Sequence, residues 1–228
     1  MPTIKKREYY LGEARNILEA TLDPVKGKVS LHSKAARRWV PWLCAYSGAR
    51  VGEITQLRKS DVYQAKSQDE TELIWVIMIT PEAGHVKDHK KREVAIHPHL
   101  IEQGFLKFAE ASETETLFFD PSKRRGGKRA NPQSAKAGER LAKWIRKDLK
   151  ITDPEISPNH AWRHRFRSLL MNRVHPQVLD GIDGHAPASE GQKYGRVWPE
   201  VSLAAVSLIE PYRFDGRELL HRPDDTPS

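Results

Sequence analysis

A chain of 228 residues is long enough to bury a real core as one sizeable domain or two small ones, and its 38% hydrophobic content is low without being that of a disordered chain. Lys+Arg 38 against Asp+Glu 30 gives a formal net charge of +8 and a pI near 9.5, which suits a polyanionic partner and puts nucleic acid first. A single cysteine, Cys44, excludes an intramolecular disulfide and a cysteine-rich zinc site; the longest apolar run, LIWVIMI at 73–79, is too short to span a bilayer and no signal peptide is evident, so a cytoplasmic protein with no membrane partner is expected.

In chain order, residues 7–20 and 31–46 carry helical periodicity, with Pro41 a kink in the second. Ser47 and Gly48 punctuate, and a new helix starts near Arg50. ELIWVIMIT is rich in β-branched and aromatic residues, and VKDHKKREVAI alternates through Val86, Val94 and Ile96. The two predict a small antiparallel sheet with a basic turn at 88–91. Pro98 opens a further helix to about Ala109. PSKRRGGKRANPQSAKAG, 121–138, predicts an exposed cationic loop that lies on or near DNA or serves as a solvated linker. Helices follow to the end, residues 222–228 are a polar tail expected to be disordered, and there is no internal repeat.

The segment NHAWRHRFRSLL, 159–170, concentrates charge. Ser157 suits a cap, Pro158 suits a first helical turn, and the next proline is Pro176, which predicts a helix of at least four turns. At about 100° per residue Trp162, Phe166 and Leu169 fall on one side and His160, Arg163 and Arg167 on the other. Like charges stacked one turn apart repel, and an anion between them compensates; a solvated basic face is the alternative. A second group comprises Arg50 with Glu53 three residues on, and His185 and Tyr194 late in the chain.

Taken together these boxes resemble the tyrosine recombinases, the phage-integrase family of DNA strand-exchange enzymes, over about residues 10–200. SGARVGEITQLRKSDV looks like the family's first-arginine box, with Arg50 the arginine and Glu53 its supporting acid. VKDHKKREVAI looks like the β-hairpin lysine segment and points to Lys87. HAWRHRF matches the His-x-x-Arg box, giving His160 and Arg163. His185 stands where the family has a histidine or tryptophan after a glycine, and Tyr194 falls at the nucleophile position nine residues on. The fold this implies is α+β, mainly helical, with a small antiparallel sheet: one catalytic domain over 1–221, with the family's N-terminal core-binding domain absent. One residue departs from the pattern: DGH puts Asp183 where the family has an apolar residue.

The resemblance implies a DNA strand breaking and rejoining enzyme. Tyr194 would attack a phosphodiester and hold the 3′ phosphate as an ester. Arg50 and Arg163 would bind the nonbridging oxygens, which planar guanidinium forks suit. His160 and His185 would donate hydrogen bonds or handle the tyrosine proton, and Lys87 would protonate the leaving 5′ oxygen, with Lys90 and Lys91 its rivals. Lys90, Lys91, Arg92, Lys123, Arg124, Arg125 and Arg167 are expected to meet DNA. A type IB topoisomerase shares the chemistry, and a DNA-binding module without catalysis is the other alternative. Double-stranded DNA is the expected partner, with a monomer when free and a homotetramer on DNA; integrase, transposon recombinase and chromosome-dimer resolvase are not separable.

No metal or other cofactor is expected. His160 and His164 have a zinc-pair spacing, and His85, His89, His97 and His99 add potential ligands, but no glutamate follows the first histidine as metalloprotease chemistry requires. The hairpin histidines are expected to face DNA or lie at the surface, and His164 to pack beside the site. Downstream, WPEVSLAAVSLIEPY, 198–212, is too apolar for an exposed terminal helix and predicts docking, either in cis or on a neighbouring subunit.

Overall fold

The structure, a computed structural model, describes residues 7–25, 27–83, 91–123, 132–185 and 196–217. Lys87, Lys90, Arg124, Arg125, Tyr194 and the tail 222–228 lie outside the described residues, as do the basic turn and most of the cationic loop. The first helix, α1 (Leu11–Ala20), begins later than its periodicity suggests, because Glu13 turns back to accept the Tyr10 backbone N–H at 2.9 Å and sets the start there. α2 (Leu31–Ser47) is capped by Ser30, runs through Pro41 and ends at Gly48, whose φ of 63° is the left-handed conformation that terminates helices. α3 (Val51–Thr55) is only five residues long, with Arg50 at its N-cap.

Among the described residues the sheet has three strands rather than two: β1 (Val62–Lys66), β2 (Leu73–Ile79) and β3 (Arg92–Ala95), antiparallel in that order. Val62 pairs with Ile77, and Val76 with Ala95. The extra strand, VYQAK, is half polar and short, so only its partner β2 makes it a strand. The helix expected from Pro98 to Ala109 is two, α4 (Pro98–Glu102) and α5 (Phe105–Ala111), because Gly104 at φ 90° breaks the run. α6 (Gln133–Lys147) begins inside the stretch expected to be loop: the helix formers from Gln133 onward outweigh the glycines and prolines before them. α7 (Pro158–Leu170), thirteen residues and short of four turns, has Ser157 and Pro158 at its start as expected. α8 (Pro176–Asp183) and α9 (Pro199–Val206) complete the described helices.

α2 is the central element, packed on α7, α3 and α6. Trp42, Trp162, Tyr9, Tyr46, Phe105, Phe118 and Phe166 are fully buried around it, each worth about 1.5–3 kcal/mol in removed apolar surface. The contact between α2 and α7 is close: a Cβ on Gly48 would lie 2.3 Å from the Phe166 ring. The apolar tail docks in cis. α9 lies on β3 and β2, the Ala95 N–H donates to Ser202 Oγ at 3.0 Å, and Val206, Ile209, Tyr212 and Phe214 join the core. Among the described residues, no helix is long and apolar enough to cross a membrane.

His97 and His99 are 3% and 1% exposed, neither facing DNA nor at the surface as expected. His97 stacks on Tyr46 at 4.0 Å and its Nδ1 accepts the His99 N–H, so its Nε2–H donates to the Ile209 carbonyl at 3.0 Å. Tyr46 accepts the Tyr212 N–H and donates to His99 Nδ1 at 2.8 Å. These partners come from α2 and the C-terminal segment, far away in sequence. His164, in contrast, is exposed rather than packed.

Candidate active site

Three segments meet at one end of α8. Arg50 leaves the start of α3, Arg163 and Arg167 leave α7, and Arg92 leaves β3; all four guanidiniums turn toward residues 180–185. The last carbonyls of a helix have no intrahelical donors and carry the negative end of its dipole, so they attract cations. Ile182 O accepts Arg92 Nε at 3.0 Å, Asp183 O accepts Arg163 Nη1 and, at 3.3 Å, Arg92 Nη2, and Gly184 O lies 3.4 Å from Arg50 Nη2. Gly184 ends α8 at φ 73°, and a Cβ there would sit 2.6 Å from the Arg92 guanidinium, so both the turn and the approach need glycine.

Glu53 is 2% exposed and lies between two of the arginines. Its Oε1 accepts Arg50 Nη1 at 3.0 Å and Arg92 Nη1 at 3.3 Å; its Oε2 accepts the Arg50 backbone N–H at 2.9 Å and Arg92 Nη2 at 2.6 Å. Burial alone would raise its pKa, but Arg92 and then Arg50 outweigh burial and hold the carboxyl below its ordinary range. The Arg50–Glu53 spacing thus gives the contact expected of it. Arg92, expected to face DNA, is instead drawn inward, with its side chain 11% exposed.

Arg163 is 6% exposed, so the cationic face of α7 is not a solvated one at this position. Its Nη1 donates to Gly48 O at 3.1 Å and to Asp183 O; its Nη2 faces Asp183 Oδ1 at 3.2 Å and His185 Nδ1 at 2.7 Å. Burial lowers its pKa to about 10, with Asp183 opposing. Arg167 Nη1 reaches Asp183 Oδ2 at 2.7 Å, Asp180 Oδ1 at 2.9 Å and His185 Nδ1 at 2.9 Å. Asp183, the departure in the DGH box, is therefore a fully buried carboxylate held by two arginines, and its neighbours repack around charge instead of an apolar side chain.

His185 is half exposed at the rim, His160 is exposed on the turn of α7 before Arg163, and Arg50 retains 20% of its side-chain surface. Lys91 and Lys123 are exposed, the latter 3.5 Å from Asp120. Sequence reasoning missed Arg92 as part of this cluster, and Asp180 and Asp183 as its acids. Asp180, Asp183 and His185 bring ligand-type atoms within 4.8 Å of one another, but the guanidiniums of Arg163 and Arg167 already bond to them, which opposes a cation there.

No family model matches the sequence, and no curated protein does. Solved structures do match. The integrase from mycobacterium phage Brujita is 16% identical with a TM-score of 0.54, over 96% of this chain and 64% of that one. The XerH site-specific recombinase bound to difH substrate in a pre-cleavage complex is 19% identical with a TM-score of 0.51, over 79% of this chain and 47% of that one. The XerA recombinase is 17% identical with a TM-score of 0.50, over 94% of this chain and 63% of that one. This chain thus spans about half to two thirds of the length of the structures it matches, and its fold, mainly helical with a small antiparallel sheet, is the tyrosine-recombinase catalytic-domain fold.

Proposed function

We propose that this protein is a site-specific recombinase that breaks and rejoins DNA strands through a 3′-phosphotyrosyl intermediate, with Tyr194 as the nucleophile. The observation that carries the reading is the gathering of Arg50, Arg163 and His185 from three separate helical segments at one partly open rim, over the buried acids Glu53 and Asp183. Such a cluster fits a phosphodiester. Arg50, which keeps 20% of its side-chain surface, and the half-exposed His185 imidazole offer N–H donors where negative charge grows on the nonbridging oxygens, while buried Arg163 and the acids behind keep those donors from drifting. Among the described residues the cluster sets four guanidiniums against the three carboxylates Glu53, Asp180 and Asp183, a cationic balance that suits a phosphodiester.

In the reaction the Tyr194 oxygen bonds to phosphorus as the bond to the 5′ oxygen breaks. The tyrosine proton goes to a base, for which exposed His160 at the start of α7 is our candidate, and the departing oxygen takes a proton from Lys87. Attack by a 5′ hydroxyl of another strand reverses these steps and frees the tyrosine. Four other phenols have partners elsewhere: Tyr9 donates to Pro158 O, Tyr46 to His99, Tyr63 to Glu93, and Tyr212 accepts from Arg165. Their engagement favours Tyr194. The net charge of +8, with exposed Lys91 and Lys123, supports double-stranded DNA as the partner, and a monomer that assembles as a tetramer on DNA is the corresponding oligomeric reading.

The test uses a nicked duplex carrying the DNA that flanks the gene, followed by denaturing electrophoresis. The wild-type chain should become covalently linked to a 3′ end, and Tyr194→Phe should bind the duplex without linkage. Linkage by the phenylalanine variant, or an adduct mapped to another tyrosine, refutes the mechanism. Joining between two duplexes, as opposed to relaxation of one supercoiled circle, separates a recombinase from a topoisomerase.

A further inference from the structure

Among the described residues Asp183 is the one acid that touches both Arg163 and Arg167 of α7, and it has no exposed surface. A buried carboxylate is costly unless its lone pairs are matched, and here they are: Oδ1 meets Arg163 Nη2 at 3.2 Å and the His185 backbone N–H at 3.1 Å, and Oδ2 meets Arg167 Nη1 at 2.7 Å. Its own backbone carbonyl takes Arg163 Nη1. One residue thus fixes both terminal nitrogens of Arg163 and ties α7 to the end of α8.

The same group decides the state of His185. Its Nδ1 lies 2.7 Å from Arg163 Nη2, 2.9 Å from Arg167 Nη1 and 3.2 Å from Asp183 Oδ1. An Nδ1–H could reach Asp183 Oδ1 at 3.2 Å, but guanidinium nitrogens only donate, so that proton would face two N–H groups at the shorter 2.7 and 2.9 Å. Nδ1 therefore accepts, and the ring proton sits on Nε2. The carboxylate acts on the ring indirectly, by holding the two arginines that point at Nδ1 and by binding the His185 backbone.

We infer that Asp183, with Arg167 as its counter-ion, is a positioning residue: it sets Arg163 in place and holds His185 as an Nε2–H donor, a role that rests on the strand-cleavage reading above. Arg167 belongs to this unit and not to the surface that meets DNA. His185 in this state can give a hydrogen bond to a phosphate oxygen but has no lone pair at Nε2 to take the tyrosine proton.

Two measurements test this on the full chain. Nitrogen-15 NMR of labelled histidine reads the tautomer without any reaction: wild type should show His185 protonated on Nε2, with Asp183→Leu and Arg167→Leu losing that single state to exchange between tautomers. Single-turnover cleavage of the nicked flanking duplex at saturating DNA reads the consequence: Asp183→Asn, close in shape, should slow cleavage at least about tenfold while its DNA affinity stays within about threefold. Should Asp183→Asn fail to fold, the double variant Asp183→Leu/Arg167→Leu, which removes the buried carboxylate together with its half-buried counter-ion, replaces it and should cleave faster than Asp183→Leu alone. An Nδ1–H tautomer in wild type, or a tautomer unchanged in both single variants, overturns the inference. So does cleavage by Asp183→Asn at or above the wild-type rate, which would make Asp183 a competitor of the phosphate. If the wild-type chain forms no adduct at all, the cleavage reading fails, and the NMR arm still decides the positioning role.

Discussion

Acid should destabilise this protein well before its carboxylates titrate, and His97 is the reason. Buried against Tyr46 with its Nε2–H on the Ile209 carbonyl, the ring has its pKa lowered from 6.5 to about 4, first by burial and then by neighbouring His99, with the Ile209 contact opposing. The unfolded chain takes up the proton near 6.5, and the folded one refuses it until about 4. Between those values the unfolded state binds more protons, so stability is full above about pH 7 and falls as pH drops. At pH 5 the linkage relation gives a loss of about 2 kcal/mol, approaching about 3 kcal/mol below pH 4, from this one group. Urea unfolding followed by tryptophan fluorescence at pH 7.5 and 5 measures it, with His97→Gln as reference. The variant starts less stable but should lose about 2 kcal/mol less on acidification. If wild type and variant lose the same amount, His97 is not the acid-labile group and the burial argument fails.

Arg163→Lys should lower the cleavage rate by about a hundredfold or more, since one ammonium cannot replace a fork with donors at Gly48 O, Asp183 and His185; weak DNA binding in a gel-shift assay should survive. Chelation with EDTA should leave adduct formation intact, because nucleophile and charge are both supplied by side chains; activity restored only by a divalent ion would point to a nuclease. Gly48→Ala should cost about 3 kcal/mol in a thermal melt, combining a left-handed φ with a Cβ 2.3 Å from Phe166. Truncation after Pro199 should unfold the domain by circular dichroism, because it removes buried Val206, Ile209, Tyr212 and Phe214; a folded truncated monomer would show that the tail is dispensable in cis.

Punctuation and apolar pattern carried most of the fold. Pro158 and Gly48 mark helix ends by local chemistry, whereas Ser157 holds the N-cap position of α7 without a side-chain capping bond, and LIWVIMI reads as a strand from its own composition. Features that depend on a distant partner were not readable. β1 is a strand only because β2 lies beside it, and His97 is buried only because Tyr46 and the Ile209 carbonyl arrive from elsewhere. Within the site the Arg50–Glu53 contact could be read from spacing, whereas the burial of Arg163 could not. Periodicity places Arg163 opposite Trp162, and nothing local shows that α8 will bring a carboxylate to that side. Asp183 stood out as a departure, but its partners became visible only in three dimensions.

Glu53 gives each of its two oxygens to donors from both sides, Arg50 from its own helix start and Arg92 from the sheet. Neither arginine's resting place is then a property of its own segment; the two are correlated variables joined by one anion. Grafting a foreign β2–β3 region onto this chain would have to supply a fork at position 92, or Arg50 would be mis-set although no residue of α3 had changed. Directed evolution for altered reactivity should accordingly return changes at 50 and 92 in pairs, and an alanine scan that treats them as independent would misassign the loss.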